Sequence, residues 1–222
     1  MFTSPGFDLT QEWTLNFSVQ DLRLTNVTND SSWWTAIMAL EIAKHAFTVT
    51  EFERMVETGI LSEDDRVELI EGEIIEMSPI GKSHAACVDR FVKLLSRLND
   101  RVILRVQGPI QLDDYSEPQP DLALLRPRDD FYSGSLPRPA DVLLVIEVAD
   151  STLQYDRFVK LPAYARAGIP EAWLANLPQD RIEMYTEPVD GAYTVIKHAT
   201  RGGVLQSSSI DELRLNVDDI LG

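Results

Sequence analysis

The sequence predicts a mixed α/β (α+β) domain in which helices flank a mixed β-sheet. Three observations lead to this prediction. Apolar residues recur at helical spacing in residues 83–98, a near-continuous apolar run in residues 141–148 indicates a strand buried on both faces, and further strand candidates follow after residue 170. A chain of 222 residues is long enough to fold as one domain without a disulfide or a structural metal.

The first predicted elements are a short helix and a hairpin. Thr48 or Thr50 can cap a helix that ends at Gly59. Apolar residues alternate across residues 66–77 around a turn at Glu71-Gly72, which predicts two strands in a β-hairpin. The amphipathic helix over residues 83–98 follows.

The later elements supply the sheet. Strands are predicted at residues 102–106, 110–112, 121–125, 141–148, 171–174, 181–185 and 192–197. The strand at 141–148 is the most apolar, so we expect it at the centre of the sheet. A helix is predicted over residues 155–167, bent near Pro162 and ended by Gly168.

The N-terminal part of the chain differs from this domain. Residues 1–46 are rich in Thr, Asn, Ser and Trp without a sustained period, and we interpret them as a weakly ordered N-terminal extension before a domain over residues 47–222. A short helix can form within residues 33–47. Met38 stands at a plausible alternative start of translation; native protein whose intact mass includes residues 1–37 would reject that start.

Composition and charge exclude several functional classes. One cysteine and three scattered histidines do not provide a zinc finger or a zinc-protease site. No apolar run approaches the ~20 residues that cross a bilayer, and no signal-peptide pattern is present, so we expect a cytoplasmic protein without a membrane partner. The net charge of −16 argues against non-specific coating of DNA, although residues 82–170 are neutral and can still present a basic face.

Two carboxylates stand out against apolar strand sequence. Asp121 opens one predicted strand and Glu147 lies near the end of the central one, whereas serine-nucleophile and phosphate-loop motifs are absent from the sequence. Burying an ionised carboxylate is costly unless it meets a cation or hydrogen-bond donors. A divalent metal such as Mg²⁺ is the natural partner, because it is commonly held by one or two carboxylates and water.

The predicted helix after the central strand carries a lysine that can approach these acids. Asp156, Lys160 and Tyr164 stand four residues apart and share one stripe, so Lys160 can lean toward Glu147. A lysine beside two metal-binding carboxylates can orient water, help to deprotonate it, or stabilise charge on a phosphate during phosphodiester hydrolysis. The structural alternative is that Asp156 and Lys160 form a surface ion pair while Glu147 caps a strand and Asp121 braces a turn.

Several linked motifs resemble the Uma2 family of PD-(D/E)XK nuclease-like proteins over residues 47–185. The motifs are Glu68-Leu69-Ile70-Glu71-Gly72-Glu73, His84, Pro120-Asp121, Glu147-Val148, Ser151-Thr152, Asp156, Lys160, Tyr164 and Gly168-Ile169-Pro170-Glu171-Ala172-Trp173. The resemblance implies a restriction endonuclease-like fold and Mg²⁺- or Mn²⁺-dependent cleavage of DNA. It further implies that Asp121 and Glu147 are metal ligands and that Lys160 is the catalytic lysine. The wider superfamily usually carries its lysine two residues after the glutamate, where this chain has Ala149.

The third acid of the site stays open among Glu68, Glu71 and Glu73. We favour Glu71 slightly, as a ligand or a neighbour of one, and Glu68 next. His84 can contact a phosphate or orient a ligand, although a histidine at a helix start more often caps or packs. Gln107 and Asp156 are weaker candidates for supporting the site, and Tyr164 and Trp173 are expected in the core.

Two further interpretations compete with an endonuclease. The first is a catalytically inactive nuclease-fold protein that acts as an interaction or regulatory module, which the acidic net charge favours because a nuclease must attract a polyanion. The second is a metal-dependent hydrolase of small phosphorylated substrates. For the endonuclease we expect DNA as the partner, and a homodimer would suit the cutting of both strands of a duplex.

Overall fold

A computed structural model describes residues 44–62, 64–98 and 100–222. The predicted N-terminal extension (residues 1–46) and the helix expected within residues 33–47 fall almost wholly outside these ranges. The described elements, in chain order, are α1 (Val49–Glu57), β1 (Val67–Ile70), β2 (Glu73–Glu76), α2 (Lys82–Leu95), β3 (Ile103–Val106), β4 (Leu122–Leu125), β5 (Val142–Ala149), α3 (Leu153–Tyr155), a π-helical segment (Asp156–Lys160), α4 (Leu161–Arg166), β6 (Glu171–Asn176), β7 (Arg181–Val189), β8 (Ala192–Thr200), β9 (Val204–Gln206), β10 (Arg214–Asn216) and α5 (Val217–Leu221). Short 3₁₀ turns cover Ser96–Leu98, Pro139–Asp141 and Leu177–Gln179. None of the described helices combines the length and the apolar content that spanning a bilayer requires.

The main sheet has six strands in the order β3-β4-β5-β6-β7-β8. Only β5 and β6 run parallel within it, and the other neighbours are antiparallel. The predicted mixed sheet with flanking helices is confirmed, and so is the interior position of β5. Seven of its eight residues are buried, which matches its unbroken apolar sequence.

Each face of the sheet carries its own apolar layer. On one face, Phe91 and Leu95 of α2 pack with Ile146 and Trp173. On the other face, Leu161 and Tyr164 of α4 lie in the cluster that contains Val145, Leu174 and Ala149. Side chains alternate between the faces of a strand, so Glu147 emerges on the side of the π-helical segment and α4.

The first helix and the hairpin form as their sequences predict. The side chain of Thr48 accepts a hydrogen bond from the Glu51 amide at 3.2 Å, and the Glu51 carboxylate accepts one from the Thr48 amide at 2.9 Å. Strands β1 and β2 pair antiparallel around the turn at Glu71-Gly72. Gly72 has a φ of 78°, and a Cβ there would lie 2.6 Å from the Cβ of Ala46, so both the turn and the close approach require glycine.

Two predicted elements differ from the structure. Residues 110–112 are not a strand: the amides of Ile110 and Leu112 donate to the carbonyls of Pro118 and Ser116, which belong to an irregular segment. The helix predicted over residues 155–167 begins earlier, at Leu153, and its irregular part is the π-helical segment that precedes Pro162. Pro162 lies inside this continuous helical stretch and, having no amide hydrogen, donates no hydrogen bond to the preceding turn.

Candidate active site

Asp121 and Glu147 meet because β4 and β5 are antiparallel neighbours with Leu122 opposite Ile146. Asp121 immediately precedes β4, and its Oδ2 accepts a hydrogen bond from the Val148 amide at 2.9 Å. The amide of Asp121 points in turn at Glu147 Oε2, at 3.4 Å. The two acids that the sequence singled out therefore share one end of the sheet.

Lys160 reaches the same place from the π-helical segment. Its Nζ lies 2.8 Å from Oε1 of Glu147 and 3.4 Å from Oε2 of Glu68, and it donates to the carbonyl oxygen of Gln119 at 3.3 Å. Only 5% of the lysine side chain and 3% of the Glu147 side chain are exposed. The predicted approach of Lys160 to Glu147 is confirmed, and the alternative of a surface ion pair between Asp156 and Lys160 is wrong because both residues are buried.

Glu68 is the acid that β1 contributes. Its Oε1 accepts a hydrogen bond from the hydroxyl of Tyr155 at 3.0 Å, and its Oε2 accepts one from the amide of Gln119 at 2.9 Å. The side chain of Glu68 is 1% exposed. Among the three upstream candidates, the structure thus brings Glu68 to Lys160.

Glu71 and Glu73 lie elsewhere, which corrects the preference for Glu71. Glu71 occupies the hairpin turn with a φ of 51°, its side chain is 60% exposed, and it pairs with Arg166. Glu73 is exposed at the start of β2. The turn breaks the alternation of the two strands and directs Glu71 outward, so neither residue lines the cavity beside Lys160.

His84 and Gln107 hold the two oxygens of Asp121. Nε2 of His84 lies 2.9 Å from Oδ2 of Asp121, and Nε2 of Gln107 donates to Oδ1 at 3.3 Å. Burial opposes ionisation of Asp121, but the hydrogen bonds from His84 and from the Val148 amide outweigh it and lower the pKa of the carboxyl group. The hydrogen bond to Asp121 raises the pKa of His84.

Two tyrosines and a glutamine complete the cluster. The hydroxyl of Tyr164 donates to Oε1 of Glu147 at 2.5 Å, as that of Tyr155 does to Glu68. The side chain of Gln119 donates to the carbonyl oxygen of Gln107 at 2.8 Å. Tyr164 is buried, as expected of a core residue, and also belongs to this cluster. Tyr155 and Gln119 carry no motif of their own, although Gln119 directly precedes Pro120-Asp121 and Tyr155 directly precedes Asp156.

Burial shifts the pKa values of three charged groups in this cluster. Burial, reinforced by neighbouring aspartates and only partly offset by Lys160, raises the pKa of Glu147 to about 8. Burial likewise raises the pKa of Asp156 to about 6, even though its carboxylate accepts a hydrogen bond from Thr152 at 2.6 Å. Burial opposes the charge of Lys160, but the surrounding carboxylates prevail and raise its pKa, so the amine stays an ammonium.

The cluster lines a cavity of about 470 Å³. Among the described residues, its lining contains six acids, together with Arg66, Lys160 and His84. The acids are Glu68, Glu76, Asp121, Glu147, Asp150 and Asp156. Four of these acids, Glu68, Asp121, Glu147 and Asp156, are buried or half-buried, and such a group of carboxylates is a natural environment for a divalent cation.

Asp121 and Glu147 are connected through the Asp121 amide, which points at Glu147 Oε2. Glu147 lies in β5, and Asp121 directly precedes the neighbouring strand β4. Within residues 44–62, 64–98 and 100–222, no group of three or more His, Cys, Asp or Glu side chains is arranged as a set of metal ligands. A bound ion would therefore take its remaining ligands from water or substrate, as Mg²⁺ commonly does.

Comparison with known proteins gives a family and a fold. The sequence profile of the Uma2 family, described as "Putative restriction endonuclease", matches residues 49–218. No curated protein matches the chain. A solved structure described as a "putative nuclease belonging to DUF820 from Anabaena variabilis ATCC 29413" is similar with a TM-score of 0.61 and 17% sequence identity, covering 79% of this chain and 97% of that one.

Proposed function

This chain belongs to the Uma2 family, and from that premise we propose that it is a metal-dependent endonuclease that hydrolyses phosphodiester bonds of DNA. The observation that carries the proposal is the 2.8 Å contact between Lys160 Nζ and Glu147 Oε1 in a cavity that Asp121 also lines. Two acids from neighbouring strands and an amine from the next helical segment are the groups that metal-assisted phosphodiester hydrolysis uses.

Asp121 and Glu147 would hold the divalent ion, Mg²⁺ or Mn²⁺. Their carboxylate oxygens are the hard donors that these ions prefer, and the surplus of acids in the cavity favours a cation there. When bound, the ion supplies charge neutralisation and Lewis-acid activation of the phosphate. The acidic net charge of the chain opposes binding of a polyanion such as DNA. A cation in the cavity would offset the repulsion between the carboxylates and a phosphodiester.

Lys160 acts in this proposal as a fixed positive charge. Its ammonium group has three donor directions, and these face Glu147, Glu68 and the carbonyl of Gln119. An ammonium group without a free lone pair cannot accept a proton from water. Because its three donors already face protein oxygens, its part is to position Glu147 and Glu68 and to place a positive charge near the phosphate. Glu68 positions the amine, and is itself positioned by Tyr155.

His84 and Gln107 position Asp121. Both of its carboxylate oxygens are restrained from the protein side, one by each residue. A restrained carboxylate loses little conformational entropy when it binds an ion, which favours binding.

A non-catalytic interaction module is the second candidate. It is favoured by the absence of a three-residue metal-ligand group from the part of the chain that the structure describes. The two candidates differ in their response to metal, because the enzyme requires a bound ion at Asp121 and Glu147 whereas the module does not.

The test combines metal binding with cleavage. Calorimetric titration with Mn²⁺ should show binding that Asp121→Asn and Glu147→Gln abolish. With Mg²⁺ or Mn²⁺, circular single-stranded DNA and supercoiled duplex DNA are assayed together, and we expect cleavage of at least one. Asp121→Asn, Glu147→Gln and Lys160→Met should each lower the rate by about 100-fold or more.

Matched substitutions of exposed residues outside the cavity serve as controls. Asp129→Asn, Glu57→Gln and Lys197→Met repeat the three changes of charge and should leave the rate within about twofold of the parent. Circular dichroism verifies that each variant is folded. Absence of metal binding, or full activity in folded Asp121→Asn, would refute the enzyme and leave the interaction module.

A further inference from the structure

The reactive groups of the cavity are recessed from the protein surface. The side chains of Lys160, Glu147 and Glu68 are 5%, 3% and 1% exposed. Asp121, whose side chain is 14% exposed, is the most accessible member of the acid pair. A phosphodiester can reach these groups only by entering the cavity, and contact with the outer surface of the protein does not suffice.

Two chain segments form much of the cavity wall. Residues 75–81 run from the last two residues of β2 to the start of α2, and residues 150–156 follow β5. The segments approach each other closely, since a Cβ on Gly81 would lie 3.6 Å from Oδ2 of Asp150. The volume of about 470 Å³ falls within the range of roughly 300–1,000 Å³ that is typical of pockets for small ligands. A ligand the size of one nucleotide fits such a space.

The first wall segment carries four apolar residues together with one exposed acid, Glu76. Ile75, Met77, Pro79 and Ile80 all line the cavity, and Ile80 is 43% exposed. Apolar side chains cannot pair with phosphates, but they can lie against the face of an unpaired base. In a duplex, both faces of each base are already stacked on neighbouring base pairs.

The cost of freeing one nucleotide distinguishes the possible substrates. In double-stranded DNA each nucleotide is held by pairing and stacking, so moving one of them with its phosphodiester into a recess costs a few kcal/mol. An unpaired strand bends freely and can insert one nucleotide with its base turned outward. From these features we infer that the cavity accepts single-stranded nucleic acid, or the unpaired end of a duplex, in preference to an intact duplex. The inference rests on the proposed function, since it names the substrate of the same site.

The experiment presents one end-labelled DNA oligonucleotide in three forms with Mn²⁺. The forms are the unpaired strand, the strand annealed to its full complement, and the strand annealed to a shorter complement that leaves a single-stranded tail. Freeing a base from a duplex costs a few kcal/mol, so we expect the unpaired strand to be cut at least about tenfold faster than the full duplex. Cuts in the third form should fall within the tail.

Ile80→Ser tests the apolar wall, and Ile60→Ser is its control at an exposed isoleucine that does not line the cavity. Losing the contact with a base should raise the KM for the unpaired strand about fivefold in Ile80→Ser and leave it unchanged in Ile60→Ser. Equal rates on the unpaired strand and the duplex, or cuts within paired DNA, would overturn the inference and leave the endonuclease intact. No cleavage of any form by folded, metal-loaded protein would overturn the endonuclease as well.

Discussion

Glu147 and Glu183 are two buried glutamates in one row of the sheet, yet their surroundings differ. Glu147 of β5 stands opposite Leu174 of β6, which stands opposite Glu183 of β7, so both carboxyl groups project from the same face. The π-helical segment supplies a cation to each. Lys160 contacts Glu147 at 2.8 Å, and Arg157 contacts Glu183 at 2.5 Å.

The two carboxyl groups titrate in opposite directions. Burial disfavours ionisation of Glu183, but hydrogen bonds from Tyr185, Asn176 and Arg181 and the charge of Arg157 outweigh it, and its pKa falls to about 2. At Glu147 burial prevails, because Lys160 is shared with Glu68 and aspartates lie nearby.

The comparison teaches that burial alone does not distinguish a structural carboxylate from a candidate ligand. Both side chains are almost fully enclosed. What separates them is the number of cations and donors per carboxylate, which is high around Glu183 and low around Glu147. Both carboxylate oxygens of Glu183 have cationic or hydrogen-bonding partners, whereas Glu147 shares the single ammonium group of Lys160 with Glu68.

The largest expected effect comes from removing one cation from each cluster. Lys160→Met leaves Glu147 and Glu68 buried beside each other, and we expect it to lower the free energy of unfolding by about 3–5 kcal/mol. Arg157→Met leaves Arg181 in place beside Glu183, so its cost should be nearer ~1 kcal/mol. Guanidinium chloride unfolding of both variants measures the difference. Equal losses would mean that the two clusters are electrostatically alike.

Metal addition and removal give the next effect in size. Mn²⁺ at about 100 times its dissociation constant should stabilise the folded protein by about 2.7 kcal/mol, because the ion binds only the folded state. Thermal unfolding should show a higher Tm that returns to its starting value when EDTA is added. Glu183→Gln should keep this response, and Asp121→Asn should lose it. A response that survives in Asp121→Asn would place the ion elsewhere.

The pH dependence of stability should separate the two glutamates in the metal-free protein. The pKa of Glu183 lies below the ordinary 4.5, so its contribution to stability is complete above pH 4.5 and is lost as the pH falls toward 2. The pKa of Glu147 lies near 8, so the unfolded chain ionises first and the contribution declines as the pH rises from 4.5 to 8.

Each glutamine variant should remove one of these slopes. Glu183→Gln flattens the profile of unfolding free energy below pH 4.5, and Glu147→Gln flattens it between pH 4.5 and 8, by at most about 1.4 kcal/mol for each unit of pKa shift that the variant removes. Urea titrations at a series of pH values measure both profiles. An unchanged slope in the matching window would contradict the assigned pKa shift.

The smallest effect concerns the amides that support each cluster. Gln119→Leu removes the hydrogen bond to the Gln107 carbonyl, and Asn176→Leu removes one to Glu183; each should cost about 1 kcal/mol of stability. Only Gln119→Leu should also slow cleavage, by about tenfold, because Gln107 in turn holds Asp121. Equal cleavage rates in the two variants would remove Gln119 from the supporting set.

The sequence predicted the parts of the site that follow from strand pairing and helix spacing. Asp121 and Glu147 are conspicuous as acids within apolar strands, and Lys160 is the cation on the facing side of the next helix. Those three side chains converge as expected, while their catalytic and metal-binding roles stay predictions. The mixed sheet was predictable for the same reason, since its strands carry clear apolar runs.

The remaining features depend on geometry that the sequence does not encode locally. The choice of Glu68 over Glu71 depends on how the hairpin turn is oriented, and Glu71 adopts a left-handed φ of 51° that few non-glycine residues take. Tyr164 matches an ordinary core residue in pattern, and only its hydroxyl, 2.5 Å from Glu147, reveals its place in the cluster. Ile110 and Leu112 are buried, as the residues of a strand would be, but their amides bond to an irregular segment and not to a neighbouring strand.

The direction of the side chains on this helix depends on the extra residue in its π-helical segment. The amide of Leu161 bonds to the carbonyl of Asp156, five residues back, so one more residue is held in this turn than a regular helix would contain. Removing a single residue, such as the solvent-facing Phe158, would restore ordinary winding and rotate everything before it by about 100° relative to everything after. Arg157 and Lys160 could then no longer contact Glu183 and Glu147 at the same time. The winding of this turn therefore sets the angle between Arg157 and Lys160, which contact Glu183 and Glu147.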